Sequence, residues 1–477
     1  MGAFRYERRP IDEEPREDRT KGFDVILQPY TRAEAVLEAQ RCLNCAMPFC
    51  VQACPITQDC RGYIQLIAQE RFDDAARLTL RENPLATVLC KTCYHYCEEE
   101  CIMYARGGPI AIRHLKRAAL EIGDADRLYV PSAPKNERIA VIGAGPAGLA
   151  AAWDLGLRGY AVTVFEAEPF LGGQIDTIPK YHLSGDELDR DLARFRNLGI
   201  TFVVGRKAGA ALTPEGLLQE GYLAVLLTVG ASDPRALGIP GEPLSGVYAA
   251  LPFLLAVNHG PEGLLGRTDR RILVIGGGDV ALDAARSARR LARDGTVTVV
   301  YRKSREEMPA GEEEVTGGTE EGIAFLFGRS PVRILGTGSV TGLVVERMQA
   351  GPKDARGRPT AVPVPGSEET LLADTIIVAV GEKADVAGLP RELDLNLTAH
   401  TWPQGTHDDW MTDVEGVFAG GGKSVVYAMS AGYRLAAAVD AYVARKKGRP
   451  PTPRPDPFGG PEPPGLPAGY GGPVWTL

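Results

Sequence analysis

All nine cysteines of this 477-residue chain fall between Cys42 and Cys101. They are spaced Cys42-x2-Cys45-x4-Cys50-x3-Cys54-Pro55, then Cys60, then Cys90-x2-Cys93-x3-Cys97-x3-Cys101. Close-set thiolates are soft metal ligands. The first run is close to the bacterial ferredoxin pattern C-x2-C-x2-C-x3-C-P, whose fourth cysteine serves the other cluster of a pair. Eight of these thiolates suit two [4Fe–4S] clusters. Two four-cysteine zinc sites need as many, and a tetrahedron of sulfurs does not by itself separate the metals. The Cys-Pro pair and the triplet spacing favour iron–sulfur. Disulfides rank lower, because the opening MGAFRYERRPIDEEPRED is mixed in charge, has no apolar core and reads as no secretory leader.

Two glycine loops suit phosphate chemistry. Gly143-x-Gly145-x-x-Gly148 follows the apolar run IAVI and opens a helical pattern. Such glycines let the backbone turn tightly against a pyrophosphate, and the helix N-terminus supplies N–H donors. Glu166, in VTVFEAE, stands where an acid binds ribose hydroxyls. The following LGGQ places Gly173 and Gln174 where a flavin ring could approach, or forms an ordinary turn. A second unit has Gly276, Gly277, Gly278 and Asp279 after ILVI. Its second strand, TVTVVY, ends in Arg302 and Lys303, with Arg305 close behind and no carboxylate at the strand end. Bases there fit an adenosine 2′-phosphate and favour NADPH over NADH, unless they are a solvated basic surface. Glu306 is a candidate to order Arg302.

These sites need elements to hold them. Residues 1–130 carry helical patterns around the cysteines and end at the breaker VPSAPKNE. The two strand–turn–helix–strand units imply an α/β architecture of two Rossmann-like dinucleotide-binding domains. LLADTIIVAVG and EGVFAGGG read as buried strands, and YAMSAGYRLAAAVDAYVARKKG as a closing helix. Residues 449–477 are rich in Pro and Gly and read as an extended or disordered tail whose terminal VWTL could dock on a partner.

Hydrophobic residues are 44% and charged residues 24%, ordinary for a globular protein. A net charge of −8 argues against a nucleic-acid partner. Apolar runs are too short to span a bilayer, and Tyr6 breaks the myristoylation pattern, so a cytoplasmic location without membrane attachment is expected. The six histidines show no ligand spacing, and no residue reads as a general acid or base. Neither dinucleotide unit contains a cysteine pair to carry electrons from a flavin, whereas the cysteine block offers an exit.

The cysteine block, GAGPAGLAAA, LGGQ followed by IPKYHL, LGIPGE, GGGDVALDAAR, YRKSREEMPA and GVFAGG together resemble one family over residues 20–448. It is that of the NADPH-dependent glutamate synthase small (β) subunit and its relatives, the large subunit of NADH-dependent ferredoxin:NADP oxidoreductase and the N-terminal half of dihydropyrimidine dehydrogenase. The resemblance implies a helical iron–sulfur domain and a FAD domain split by an inserted NADPH domain. The divisions expected are 1–130, 138–245 (FAD, first half), 246–371 (NADPH), 372–448 (FAD, second half) and the tail.

It further implies one cluster on Cys42, Cys45, Cys50 and Cys101 and another on Cys54, Cys93 and Cys97. The second cluster's fourth ligand in relatives is Gln or Glu, where this chain has Lys116, an ammonium that cannot ligate iron. Cys90 or Cys60 then stands as the alternative. Gly421 falls in the FAD-binding GVFAGG stretch, and Gly422 replaces an Asp that in relatives binds the flavin ribityl chain. The implied role is electron input: NADPH reduces FAD, and the clusters deliver electrons to a glutamate synthase large subunit. A ferredoxin, or a 2-oxoacid:ferredoxin oxidoreductase, is the alternative partner. A zinc-binding scaffold without activity is the reading of another class.

Overall fold

The computed structural model describes residues 7–459 apart from 210, 261–263, 266–269, 293, 354–358, 387–388, 390–392, 394–404 and 408. The cysteine block is a bundle of short helices, among them α1 (Cys60–Ala68), α2 (Phe72–Glu82), α3 (Ala86–Thr92) and α4 (Ile112–Ile122). Asp59 begins α1, its carboxylate accepting from the Gly62 amide at 2.8 Å. Buried Tyr63, Ile64 and Ile67 of α1 pack with Leu78 of α2 and Leu115 of α4. A buried Glu38–Arg41 pair at 2.6 Å closes the bundle around Cys42. Glu38 also accepts from the Ala111 amide at 2.9 Å, and Arg41 donates to the Gly108 carbonyl at 2.8 Å. Segments distant in sequence thereby bring Cys42 towards Cys101.

The first parallel sheet joins β1 (Arg138–Ile142), β2 (Ala161–Phe165), β3 (Ile200–Val203), β4 (Ala224–Leu227) and β10 (Val417–Ala419) in the order β10-β4-β1-β2-β3. These short strands are mostly apolar on both faces, as expected where helices cover both sides. Helix α5 (Pro146–Leu157) leaves the tip of β1, and the long α8 (Val425–Lys446) packs along it. Gly432 permits that approach: a Cβ there would lie 2.3 Å from the Ala147 carbonyl oxygen.

The second sheet joins β5 (Val247–Ala249), β6 (Arg271–Ile275), β7 (Thr296–Tyr301), β8 (Ala324–Phe327) and β9 (Thr375–Val378) in the order β5-β9-β6-β7-β8. Helix α6 (Asp279–Leu291) follows β6, and α7 (Glu312–Glu320) packs beside it. Just past α7, Glu321 holds Arg286 and Arg290 of α6, each at 2.7 Å, with the Arg290 and Glu321 side chains fully buried. Breaking such a pair strands a buried charge, at a cost of about 3–5 kcal/mol.

One expected division moves. Strand β9 pairs in parallel with both β5 and β6, so it belongs to the inserted domain, not to the returning half of the first. The crossing back lies beyond it, at the two-residue pairing of Glu382–Lys383 with Asp233–Pro234. An apolar run reads the same whichever sheet receives it.

The tail expectation changes as well. Residues 449–459 run without helix or strand but are docked. Arg454 pairs with Asp154 at 3.1 Å and lies over the Trp153 ring, 4.9 Å from its centroid. Phe458 packs on Tyr129, and the Val130 amide donates to the Pro457 carbonyl at 2.6 Å. The VWTL segment lies outside the described residues. No helix among the described residues is long and apolar enough to cross a membrane.

Candidate functional site

In the first sheet, Ile142, Phe165, Leu227 and Ala419 share one register row. Gly143, Glu166, Thr228 and Gly420 therefore follow together at the carboxyl edge, where open α/β sheets bind ligands. Gly143 has φ of 108°, and a Cβ there would meet the Thr228 carbonyl oxygen at 2.5 Å. A Cβ on Gly148 would stand 1.9 Å from the Gly143 carbonyl oxygen, so the helix sits flush on the turn. Gly145 differs. Its backbone (φ −75°, ψ −177°) suits any residue, and a Cβ would meet nothing within 4 Å. The space it leaves open is the cradle a dinucleotide pyrophosphate requires.

Glu166 is buried at the tip of β2, accepting from the Ala144 amide at 2.7 Å and the Glu168 amide at 3.0 Å. It braces the glycine loop from the position expected of a ribose-binding acid. The LGGQ turn folds back over this loop: the Gly172 amide donates to the Ala144 carbonyl at 3.0 Å, and Gly173 lies against Gly145. Gln174 donates its side-chain amide to the Ala231 carbonyl. Gly421 follows Gly420 at the same edge, just before α8. At Gly422 a Cβ would meet the Ala428 amide nitrogen at 2.3 Å. The first turn of α8 thus occupies the place that an Asp side chain would need.

The second site repeats the design. Gly276 (φ 149°) abuts the Ala379 carbonyl oxygen, which a Cβ would meet at 2.2 Å. Gly277 is covered by the Tyr301 ring. Gly278, with extended backbone (φ −93°, ψ 176°), again leaves open space. Asp279, the first residue of α6, accepts from the Gly311 amide at 2.9 Å and from the Tyr94 hydroxyl of the cysteine block. Of the three bases, Lys303 pairs with Glu307 at 3.0 Å, and Arg305 pairs with Glu312. Arg302 is exposed and makes no salt bridge among the described residues. Glu306 does not order it: Ser304 is the main partner of that carboxylate and holds it below its usual range.

Between the two sheets, the ligand atoms of His182, Asp283 and Glu314 lie within 4.8 Å of one another. Arg286 pairs with Glu314 at 2.6 Å and places a fixed positive charge in the group. This is a charged seam between the domains rather than a metal centre.

The cysteines form two groups. Cys42, Cys45, Cys50 and Cys101 line one cavity with Arg61, Ile64 and Ile112. Burial pushes the Cys42 thiol up to about 11, with Cys50 and Cys101 adding to the rise, and burial also raises Cys101. Cys50 is pulled down by a hydrogen bond from Cys60. In the other group, burial lifts Cys54 to about 12, with Cys97 and Cys93 contributing. Burial likewise lifts Cys90 to about 12, opposed chiefly by Lys116. Burial alone would depress Lys116, but Cys90, Cys93, Cys54 and Cys97 surround its ammonium and turn the net direction upward. Sulfurs gathered in this way, most of them partly buried, fit a cationic metal centre, which would make thiolates stable there. Lys116 is a counter-charge beside the second group. Cys60 lies between the groups, hydrogen-bonded to Cys50 and Cys97.

The loop from Cys93 to Cys97 faces both dinucleotide domains. Tyr94 reaches Asp279, and Tyr96 packs edge-on against Tyr427 in the first turns of α8, with centroids 5.4 Å apart. Sequence reasoning passed over both tyrosines. Their residue types are unremarkable, and their partners lie 185 and about 330 positions away. The four-cysteine cavity has a different setting. Leu43, Phe49 and Ile102, all exposed, line it, and Met47 and Tyr104, also exposed, stand next to lining residues in the sequence.

Comparison with known proteins bears on this arrangement. The family model "Dihydropyrimidine dehydrogenase domain II, 4Fe-4S cluster" matches residues 19–127, and "Pyridine nucleotide-disulphide oxidoreductase" matches residues 137–438. The chain is 34% identical to the glutamate synthase [NADPH] small chain of Halomonas elongata, over 87% of this chain and 91% of that protein. The chain belongs to the glutamate synthase small-chain family. As such a member it is an NADPH-dependent flavin oxidoreductase with an iron–sulfur domain, and the zinc scaffold considered from the sequence is set aside. The family extends to other assemblies. The chain is also 34% identical to the β subunit of the NADP(+)-dependent formate dehydrogenase of Moorella thermoacetica, over 83% of this chain and 60% of that subunit. Among solved structures, Mycobacterium tuberculosis FprA in complex with NADPH superposes with a TM-score of 0.55 at 20% identity, covering 68% of this chain and 86% of FprA. That likeness concerns the fold alone.

Proposed function

We propose that the chain is the electron-input subunit of a glutamate synthase. FAD would lie on Gly143, Gly145, Gly148 and Glu166, under Gly173, Gln174 and Gly421. NADPH would lie on Gly276, Gly278 and Asp279, with Arg302, and in part Lys303 and Arg305, at its 2′-phosphate. Two [4Fe–4S] clusters would be held, one by Cys42, Cys45, Cys50 and Cys101, the other by Cys54, Cys93, Cys97 and Cys90, with Cys60 the alternative fourth ligand. When bound, the flavin takes a hydride as an electron pair and releases it singly, in steps that iron–sulfur clusters carry.

The residues of the chain do the positioning. Gly145 and Gly278 leave the cradles open, Glu166 braces the first loop, and Lys116 offsets the charge of the second thiolate group. The observation that carries the reading is spatial order. The Cys93–Cys97 loop touches both dinucleotide domains, whereas the Cys42–Cys101 cavity opens among exposed apolar side chains. An inner centre would then meet the flavin side, and an outer one a partner protein. Apolar side chains rim that outer opening, which favours a lasting subunit interface over a brief encounter with an acidic carrier.

Anaerobic affinity purification from the native cell tests the partner. Recovery of a glutamate synthase large subunit, with NADPH oxidation dependent on glutamine and 2-oxoglutarate, is the expected result. Recovery of a ferredoxin, a 2-oxoacid:ferredoxin oxidoreductase or a formate dehydrogenase subunit instead would overturn the glutamate assignment.

A further inference from the structure

A closed ring of contacts links the second cysteine group to the start of the second dinucleotide site. Tyr94, in the Cys93–Cys97 loop, donates its hydroxyl to Asp279, the first residue of α6. Asp279 accepts from the amide of Gly311, which begins α7. In the first turn of α7, Glu313 pairs with Arg113 at 2.9 Å and faces His95 at 3.6 Å. Arg113 returns to the loop, donating to the Cys93 carbonyl at 3.1 Å. His95 itself holds a left-handed backbone (φ 45°), so the loop is bent into this arrangement rather than relaxed. Two side-chain contacts from the loop, and a third from Arg113 on α4, thus converge on one domain from beside two cysteines of the second group.

We propose that this ring couples nucleotide binding at α6 to the charge of the centre on the Cys93–Cys97 loop. The inference rests on the nucleotide and cluster assignments above. A phosphate seated at the start of α6 adds negative charge beside the Asp279 carboxylate, which then leans more on its Tyr94 and Gly311 donors. An electron added to the cysteine-held centre makes the loop more negative and opposes the same phosphate. Linkage makes the two effects reciprocal. Tyr94 is here a positioning residue, acting through the Asp279 carboxylate.

The test uses the full chain and adenosine 2′,5′-bisphosphate, which carries the phosphates but no nicotinamide and exchanges no electrons. Its affinity is measured by calorimetry on oxidised and dithionite-reduced protein, and the EPR spectrum of the reduced protein is recorded with and without it. Binding about fivefold weaker to the reduced chain, with a ligand-induced change in the EPR spectrum, is expected. In Tyr94→Phe the ratio should fall below about twofold and the EPR change should vanish, while the ligand still binds. Glu313→Gln, which changes no residue of the cysteine loop or the glycine loop, should do the same if Tyr94→Phe loses iron. Equal affinities in the unaltered chain, or a ratio and EPR change kept in both variants, would overturn the coupling. A chain that binds no adenosine 2′,5′-bisphosphate, or shows no iron signal, would instead overturn the assignments on which it rests.

Discussion

Replacing Cys97 by Ser is expected to lower bound iron from about eight to about four atoms per chain and to abolish electron delivery to the partner. Cys97 contributes to the group that includes Cys54 and Cys93, and its loop touches Asp279 through Tyr94 and Tyr427 through Tyr96. A break there stops electrons before they reach the outer cavity. Cys101→Ser should also halve the iron but have a different consequence. Cys101 lines the outer cavity with Cys42, Cys45 and Cys50, so NADPH should still reduce the remaining inner centre while the partner receives nothing. Iron analysis, with EPR of NADPH-reduced variants, separates the two. Iron at the unaltered level in both variants would contradict the ligand groups. An inner signal surviving in Cys97→Ser and lost in Cys101→Ser would reverse their order.

The second large effect is expected at Gly145. In Gly145→Val the chain should fold with an unchanged far-UV CD spectrum but carry no yellow flavin. The backbone at Gly145 is already extended, and its Cβ position is empty, so valine costs the fold little. Its methyl groups would fill the space where a pyrophosphate must approach the loop amides, and flavin affinity should fall at least about hundredfold, or roughly 2.7 kcal/mol. Gly148→Val is the contrasting control. Its Cβ would stand 1.9 Å from the Gly143 carbonyl oxygen, so that variant should lose the local turn and with it stability. A Gly145→Val protein that retained flavin at the unaltered level would show that the first cradle holds something else.

Chemistry encoded in short spacing was legible in the sequence. The glycine loops stand at the tips of β1 and β6 as their flanking runs imply, and Glu166 lies at the end of β2. The cysteine spacing marked a metal-binding block, and the split of the first domain is visible in the pairing of β10 with β4. What escaped depends on partners far along the chain. Nothing in TIIV says which sheet it will join, because both sheets accept a run that is apolar on every side. Pro and Gly in the tail forbid regular structure without forbidding packing, and Arg454 and Phe458 dock there. Lys116 looked like a missing ligand, and only the surrounding sulfurs reveal it as a counter-charge. Gly422 looked like a lost contact, and only the position of Ala428 shows that no side chain fits.

On the proposed reading, one chain joins a nucleotide site, a flavin site and iron–sulfur centres into a single conductor. Anaerobic titration of the purified chain with NADPH, followed by optical absorbance and EPR in the same samples, tests it most directly. Loss of the yellow flavin absorbance together with growth of two distinct reduced iron–sulfur signals is the expected result. Bleaching of the flavin with no iron–sulfur signal at any NADPH concentration would contradict it.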